Sequence, residues 1–240
     1  MQALGLILAG GKSSRMGENK AFIKLGDKTL LEHVYARLKP QCEQILVSTS
    51  SDDPRFLPYQ TISDSVTGQL GPLAGILAGL EHAAKNNHKC IVTTPVDCPF
   101  LPDDLVERFI LNAQVSRSPH TDSVYPICTV IDENIEYIRY SSGEGVAQRR
   151  ERGLSNTKII IACSNNQPHY TTGLWHISLI NPLKHALNNG IRKVQDFTNA
   201  QNPHYINWDT APFDLFININ TQTDLTLAST CLNSASATPI

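Results

Sequence analysis

The sequence predicts an α/β fold in which a mostly parallel sheet carries helices on both faces. Short apolar segments alternate with segments of helical period, and polar or glycine-rich turns follow several of the apolar segments. The chain has 240 residues, which is enough for one such domain with a sizeable core. We therefore expect a single three-layer, Rossmann-like domain over residues 1–232. An insertion is expected at about 116–157 and a flexible tail at 233–240.

Strands and helices alternate through the first half of the chain. The strands are apolar runs bounded by turn residues, at about 3–8, 44–49, 61–63 and 89–94. A helix over 29–38 has one apolar stripe, formed by Leu30, Leu31, Val34 and Leu38. The next helix follows Gly71 and has an apolar face of Leu73, Ile76, Leu77 and Leu80. Another begins at Pro102, because proline suits a first helical turn and the acids that follow suit the positive end of the dipole.

The alternation resumes after the polar segment 116–157. Further strands are predicted at 158–162, 170–177 and 213–219, the last from its alternating apolar residues. A helix over 179–188 is capped by Gly190, and another begins near Arg192. Thr221 and Asp224 have the spacing of a capping box and predict the start of a final helix.

Composition limits the classes of function. The formal net charge of −2 provides no basic field for nucleic acid, and no apolar stretch approaches the roughly 20 residues of a membrane span. The six cysteines form no C-x-x-C pair, and we expect them to be reduced in a cytoplasmic protein. The N-terminus enters a strand directly, so we expect no signal peptide. The histidines show no zinc-binding pattern.

The first predicted strand ends in a glycine-rich basic loop. Gly10 and Gly11 let the backbone approach a ligand closely, and successive N–H groups can hold phosphate oxygens. Lys12, Arg15 and Lys20 supply cations to the same anion. The loop matches neither the P-loop spacing nor the dinucleotide fingerprint G-x-G-x-x-G. We interpret it as a nucleotide triphosphate site.

Asp97 follows the buried strand at 89–94. Open α/β sheets bind ligands at the carboxyl ends of their strands, and Mg²⁺ is held there by one or two carboxylates together with substrate phosphates. A lone aspartate between Pro95 and Pro99 is also an ordinary turn former. Its combination with the glycine-rich loop favours a metal–triphosphate site.

Other polar groups could orient substrates. Asp64 could accept hydrogen bonds from ribose or guanine, although a capping role is equally compatible with its position. Gly71 could bring backbone amides close to the nucleotide. Asn218 and Asn220 share one face of the last predicted strand and could orient a polar substrate, or they could be the polar face of an edge strand.

The segment from Leu8 to Gly17, followed by Lys20, resembles the signature of the molybdenum cofactor guanylyltransferase family. That family is a branch of the α/β nucleotidyltransferases, most of which carry alanine at the position of Gly10. The resemblance covers about 5–113 and 158–227. It implies transfer of GMP from Mg-GTP to the terminal phosphate of the molybdopterin cofactor, with GTP and molybdopterin as substrates and Mg²⁺ as cofactor.

The resemblance and the residue-based argument together assign candidate roles. Asp97 would bind the metal and act in catalysis with Lys20 and Arg15. The GTP-binding set is Leu8, Ala9, Gly10, Gly11, Lys20, Ser48, Asp64, Gly71 and Asp97. Ser48 stands where the family often has asparagine. The set on the pterin side is Arg192, Lys193, Asn218 and Asn220.

Two alternatives remain open at the level of sequence. A cytidylyl- or sugar-phosphate nucleotidyltransferase would use the same scaffold with another nucleotide. A non-catalytic GTP-binding adaptor would deliver cofactor to its acceptor enzymes. Under either the transferase or the adaptor interpretation, cofactor-insertion chaperones or molybdoenzymes are the candidate protein partners. Nucleic acid and membrane partners are not expected.

Overall fold

The computed structural model describes residues 3–10, 19–63, 71–114 and 157–236. Its strands are β1 (Leu4–Leu8), β2 (Lys24–Leu25), β3 (Lys28–Thr29), β4 (Gln44–Ser48), β5 (Thr61–Ile62), β6 (Cys90–Pro95), β7 (Ile159–Ser164), β8 (Gln167–His176) and β9 (His204–Trp208). Its helices are α1 (Leu30–Leu38), α2 (Pro72–Lys85), α3 (Leu105–Gln114), α4 (Ile180–Asn188), α5 (Val194–Asn199) and α6 (Gln222–Ser236). The predicted insertion at 116–157 lies outside the described residues.

A seven-stranded sheet in the order β5-β4-β1-β6-β8-β7-β9 forms the middle layer. Strand β8 runs antiparallel to its neighbours β6 and β7, and the other neighbouring pairs are parallel. The prediction of a mostly parallel sheet is confirmed. Because of this topology, strands β1, β4, β6, β7 and β9 all end at one edge of the sheet, which we call the carboxyl edge. Strand β8 begins there.

Helices cover both faces of the sheet. On one face, α1 and α3 bury Leu31, Val34 and Phe109 in a cluster that includes Ile7 of β1 and Val92 of β6. On the other face, the core formed by α2, α4 and α5 includes Leu77, Leu183, Phe197 and Trp175. Apolar burial on both sides of the strands explains why they are continuous apolar runs in the sequence.

Helix α2 packs closely against the sheet through two glycines. A Cβ atom at Gly79 would lie 2.6 Å from Leu6 Cδ2, and one at Gly75 would lie 2.3 Å from Ser48 Oγ. Real Cβ contacts are essentially never so short, so a larger residue at either position would displace the Leu6 or Ser48 side chain. This packing fixes the start of α2 relative to the ends of β1 and β4.

The strand predicted at 213–219 is wrong. Its alternation suggested a strand, but the buried residues are Phe216 and Ile219, three positions apart. Asp214 Oδ1 accepts a hydrogen bond from Phe216 N at 2.9 Å, which folds the backbone into a turn instead of a ladder. The outer position of the sheet belongs to β9, which was not predicted and pairs with β7.

Smaller differences concern the ends of elements. The short hairpin β2–β3 was not predicted. Helix α6 continues to Ser236, four residues into the segment expected to be a flexible tail. The capping boxes at Thr29–Glu32 and Thr221–Asp224 form as hydrogen-bonded pairs. No helix in the described ranges is long and apolar enough to cross a membrane.

Candidate active site

Lys20, Asp97 and Asn220 meet at the carboxyl edge although they are far apart in sequence. Lys20 Nζ donates to Asp97 Oδ2 at 2.7 Å and to Asn220 Oδ1 at 2.6 Å. Lys20 opens a short 3₁₀ turn that is capped by the Asn19 side chain, so its backbone is held locally. The structure therefore brings together three of the residues singled out in the sequence.

Asp97 is held by the backbone on both sides. Val96 N donates to Leu8 O at 3.1 Å, which ties the end of β6 to the end of β1. Ile219 N donates to Asp97 O at 2.9 Å. The backbone of Asp97 is consequently held between the end of β1 and the chain that precedes α6, while Lys20 Nζ holds its carboxylate.

The Asp97 carboxylate can take a further electrophilic partner. Its Oδ1 atom is buried and has no hydrogen-bond partner in the described part of the chain. A buried acceptor left unpaired costs about 1–3 kcal/mol, so a cation at this atom would be favourable. The described residues contain no group of three or more His, Cys, Asp or Glu side chains that could hold a metal. This donor set fits Mg²⁺, which takes few carboxylates and completes its shell with phosphates and water.

Cys98 connects Asp97 to the Asn218 segment. Its Sγ donates to Asn218 Oδ1 at 3.1 Å and to Phe216 O at 3.5 Å. Burial raises the pKa of the Cys98 thiol well above its usual value, and the negative charges of Asp97 and Asp214 act in the same direction. The thiol thus remains protonated and serves as a donor, a role that the sequence did not indicate.

The described part of the predicted nucleotide loop starts at the end of β1. Leu8 and Ala9 are almost fully buried, and Ala9 N donates to Ser48 O at 2.9 Å. Gly10 is exposed, and a Cβ atom there would meet only Ser48 O, at 3.9 Å. Packing within the described residues therefore does not require glycine at position 10. Gly11, Arg15 and Asp64 lie outside the described residues.

Ser48 lies next to the described part of this loop, and its side chain packs against α2. The residue is 4% exposed, and its Oγ points to the position that a Cβ atom at Gly75 of α2 would occupy. Its carbonyl, not its hydroxyl, contacts the loop through Ala9 N. The role predicted for the Ser48 side chain remains a prediction.

Gly71 and the basic segment after α4 are neighbours. Gly71 has a φ of +73° and precedes α2, and a Cβ atom there would lie 3.8 Å from Arg192 O. The Arg192 guanidinium donates to Leu187 O at 2.7 Å and Ile191 O at 2.9 Å, so it satisfies carbonyls at the end of α4. Lys193 is exposed. Arg192 follows the C-terminus of α4, where positive charge is favourable, whereas Lys193 is the N-cap residue of α5.

A second polar cluster at the carboxyl edge was missed in the sequence. Ser164 Oγ donates to Asp214 Oδ2 at 2.7 Å and lies 2.7 Å from His169 Nε2. No motif joins these residues, because they come from the end of β7, the start of β8 and a turn. Of the three, only Ser164 stands at the end of an apolar segment, so no local pattern indicates the cluster.

The fold is that of nucleotidyltransferases. A solved structure titled molybdopterin-guanine dinucleotide biosynthesis protein A, from Archaeoglobus fulgidus, superposes with a TM-score of 0.67 at 19% identity and covers 96% of this chain and 99% of that chain. A 2-C-methyl-D-erythritol 4-phosphate cytidylyltransferase from Thermus thermophilus gives a TM-score of 0.59 at 18% identity, covering 97% and 100% of the two chains. At these identities the comparisons establish the architecture alone.

Sequence relatives define the family within that class. The family model described as a MobA-like NTP transferase domain matches residues 5–204. A molybdenum cofactor guanylyltransferase of Nitrobacter hamburgensis is 33% identical over 92% of this chain and 90% of its own length. One from a Bradyrhizobium species is 34% identical over 92% and 89%. The chain belongs to the MobA-like NTP transferases and, among them, to the molybdenum cofactor guanylyltransferase family.

Proposed function

We propose that this protein transfers GMP from Mg-GTP to the terminal phosphate of the molybdenum-molybdopterin cofactor. The products are the guanine dinucleotide form of the cofactor and pyrophosphate. The observation that carries the proposal is the meeting of Lys20, Asp97 and Asn220 at the carboxyl edge, beside the end of β1. Membership in the guanylyltransferase family supports the choice of nucleotide and acceptor.

The reaction needs positioning and charge neutralisation more than covalent help. An oxygen of the acceptor phosphate forms a bond to the α-phosphorus of GTP, and the bond from that phosphorus to the oxygen bridging to the β-phosphate breaks. The electron pair leaves with pyrophosphate. Because the nucleophile is already anionic, the protein must align it and stabilise the charge of the transition state.

Asp97 is the proposed ligand of Mg²⁺, and its buried unpaired Oδ1 atom supports this role. When bound, the metal would neutralise phosphate charge as a Lewis acid. The chain's own contribution is to hold the backbone on both sides of the Asp97 side chain, through Val96 N and Ile219 N, and Oδ2 through Lys20 Nζ. A carboxylate positioned in advance needs less reorganisation when substrate binds.

Lys20 is the proposed charge partner of the triphosphate, together with Arg15. In the structure its ammonium lies against Asp97 and Asn220, one fifth exposed. A phosphate arriving at this position would compete for the same three N–H donors. The remaining GTP contacts are proposed for Leu8, Ala9, Gly10, Gly11, Ser48, Asp64 and Gly71.

The acceptor side is proposed to consist of Arg192, Lys193, Asn218 and Asn220. The basic pair lies beside Gly71 at the start of α2, and the two amides precede α6. Asn220 Oδ1 already contacts Lys20, so one amide would link the two substrate sides. Molybdoenzymes or cofactor-insertion chaperones are proposed as the receivers of product. A cytoplasmic location is proposed from the cysteine usage in the sequence.

Pyrophosphate release tests the proposal. The assay compares Mg-GTP, Mg-CTP and Mg-UTP, each with and without molybdopterin cofactor. Release with GTP that requires the cofactor is the expected result. A preference for CTP or UTP would favour another nucleotidyltransferase activity. Binding of GTP without any release in the presence of cofactor would favour a delivery adaptor.

A further inference from the structure

Ser164, His169 and Asp214 form a hydrogen-bonded cluster, and none of the three has a role in the transfer reaction as described above. Ser164 is 1% exposed, and its hydroxyl lies 2.7 Å from both Asp214 Oδ2 and His169 Nε2. The hydroxyl has one proton, and it donates that proton to the carboxylate. His169 must therefore donate through Nε2. The three residue types are those of a hydrolytic triad, but here the serine is buried between the other two and is no nucleophile.

Asp214 uses both carboxylate oxygens to shape the chain that follows it. Oδ2 accepts from Ser164, and Oδ1 accepts from Phe216 N at 2.9 Å. The His169 ring stacks on the Phe216 ring, with centroids 4.8 Å apart and an interplanar angle of 19°. The turn at Asp214 is therefore held by the hydrogen bonds of the Asp214 carboxylate and by the stacking of His169 on Phe216.

The chain from Asp214 to Asn220, which we call the 214–220 segment, runs from this cluster to the candidate active site. Along it, Phe216 O and Asn218 Oδ1 accept from Cys98 Sγ. Ile219 N donates to Asp97 O, and Asn220 Oδ1 accepts from Lys20 Nζ. The segment forms no strand or helix, and its one internal backbone hydrogen bond is the turn bond from Ile217 N to Asp214 O at 3.4 Å. Its shape therefore depends on the side chain of Asp214 at one end and on the contacts to Lys20, Asp97 and Cys98 along the rest.

We infer that Asp214 is a positioning residue of the transfer reaction and that Ser164 and His169 hold it in place. This inference rests on the proposed function. Through the 214–220 segment, Asp214 sets Asn218 and Asn220 against Lys20 and Asp97, where the acceptor phosphate must be aligned. Misplacement of a positioning group by about 1 Å can cost about 10²-fold in rate. GTP should bind largely through groups outside the segment.

The first test is the substitution Asp214→Asn. The asparagine side chain is nearly isosteric with aspartate and could still accept from Phe216 N, but its amide nitrogen could not accept from Ser164. We expect kcat for pyrophosphate release to fall about 10–100-fold and the KM for the molybdopterin cofactor to rise. The Kd for Mg-GTP, measured by calorimetry, should stay within about threefold. Asp103→Asn is the matched control, because the Asp103 carboxylate is 80% exposed in a surface ion pair with Arg37.

Two variants of His169 separate hydrogen bonding from ring contact and replace the first test if Asp214→Asn does not fold. His169→Gln keeps an amide donor for Ser164, whereas His169→Phe keeps the ring on Phe216 and loses the donor. We expect His169→Phe to share the kinetic defect and His169→Gln to recover most of kcat. A kcat near wild type in His169→Phe and a reduced kcat in His169→Gln would show that the ring contact, not the hydrogen bond, holds the cluster.

A readout without turnover separates this inference from the proposed function. Cys98 is covered by the 214–220 segment, so loosening the segment should expose its thiol. Alkylation by iodoacetamide, followed by peptide mass spectrometry, should be at least about fivefold faster at Cys98 in His169→Phe and Asp214→Asn than in wild type. Buried Cys42 serves as an internal reference. An unchanged Cys98 rate together with unchanged kinetics would refute the inference. A wild-type protein that transfers no nucleotide would refute the proposed function, and the Cys98 alkylation rates would then still test whether Asp214 and His169 hold the 214–220 segment.

Discussion

Replacing Gly75 with alanine should strain the contact between α2 and the end of β4. The new Cβ atom would lie 2.3 Å from Ser48 Oγ and 3.2 Å from Ser48 Cβ. Ordinary contact begins at 3.4 Å, so the hydroxyl must move by about 1 Å. Ser48 is buried in β4, next to β1, and has little room to move.

The size of the effect follows from two opposing terms. Overpacking a tight core costs about 1–3 kcal/mol, whereas Gly→Ala inside a helix gains about 1 kcal/mol of helix propensity. We therefore expect Gly75→Ala to lower the free energy of unfolding by about 1 kcal/mol. Urea unfolding with linear extrapolation measures this difference.

A double variant shows whether the predicted contact causes the loss. Ser48→Ala removes the atom at 2.3 Å and leaves a Cβ atom at 3.2 Å from the new methyl group. The double variant Ser48→Ala, Gly75→Ala should lose less stability than the sum of the single variants. Additive losses, or a Gly75→Ala variant more stable than wild type, would refute this account of α2 packing.

Three further predictions concern the sheet and the half-buried His169. Gly173→Ala should unfold at a much lower urea concentration than wild type, because its Cβ atom would lie 2.4 Å from the backbone atom Ile160 O. A midpoint of urea unfolding equal to that of wild type would contradict the β7–β8 pairing. Trp175→Phe loses a buried 2.9 Å hydrogen bond from Nε1 to Thr93 Oγ1 and should cost about 2 kcal/mol in the same assay; a loss below about 0.5 kcal/mol would show that this bond is unimportant. Burial lowers the pKa of His169 below its usual 6.5, against an opposing effect of Asp214, so the unfolded state takes up the proton first as pH falls. The stabilising contribution of neutral His169 should therefore be complete above pH 6.5, and the free energy of unfolding should fall more for wild type than for His169→Gln between pH 7 and 5. Parallel plots of unfolding free energy against pH for the two proteins would contradict this.

Most strands that the sequence predicted, β1, β4, β6 and β7, are almost wholly buried, although the exposed edge strand β5 was also predicted. Strands β1, β4 and β6 have helices on both sides and each contains a run of at least three apolar residues, so local composition predicts them. Strand β9 lies at the edge of the sheet and contains His204 and Asn207 among its apolar residues. Its pairing with β7 is formed over a long sequence separation, which no local pattern reports.

The segment before α6 shows how a local pattern can mislead. Ile217 and Ile219 alternate with asparagines as strand residues do, but the Asp214 carboxylate binds Phe216 N and turns the chain. Turn chemistry of a single side chain therefore overrides a period-two pattern. The same pattern still predicted that Asn220 would serve the site, because the amide is presented at the carboxyl edge in either conformation.

The candidate site residues that could be predicted are those that directly follow a predicted strand or the glycine-rich loop. Asp97 follows a buried strand and Lys20 follows a glycine-rich loop, so both were expected at the carboxyl edge. The bond from Cys98 to Asn218 and the Ser164–His169–Asp214 cluster depend on distances between separate strands and turns. Such distances are set by packing and register, which are not local properties of the sequence.

The most direct test of the central claim is pyrophosphate release by an Asp97→Ala variant with Mg-GTP and molybdopterin cofactor. We predict a fall in kcat of at least about 10²-fold. Circular dichroism should show a folded protein, and Asp103→Ala should keep the wild-type rate because its carboxylate is on the surface. A folded Asp97→Ala protein that turns over at the wild-type rate would contradict the assignment of Asp97 to the metal–triphosphate site.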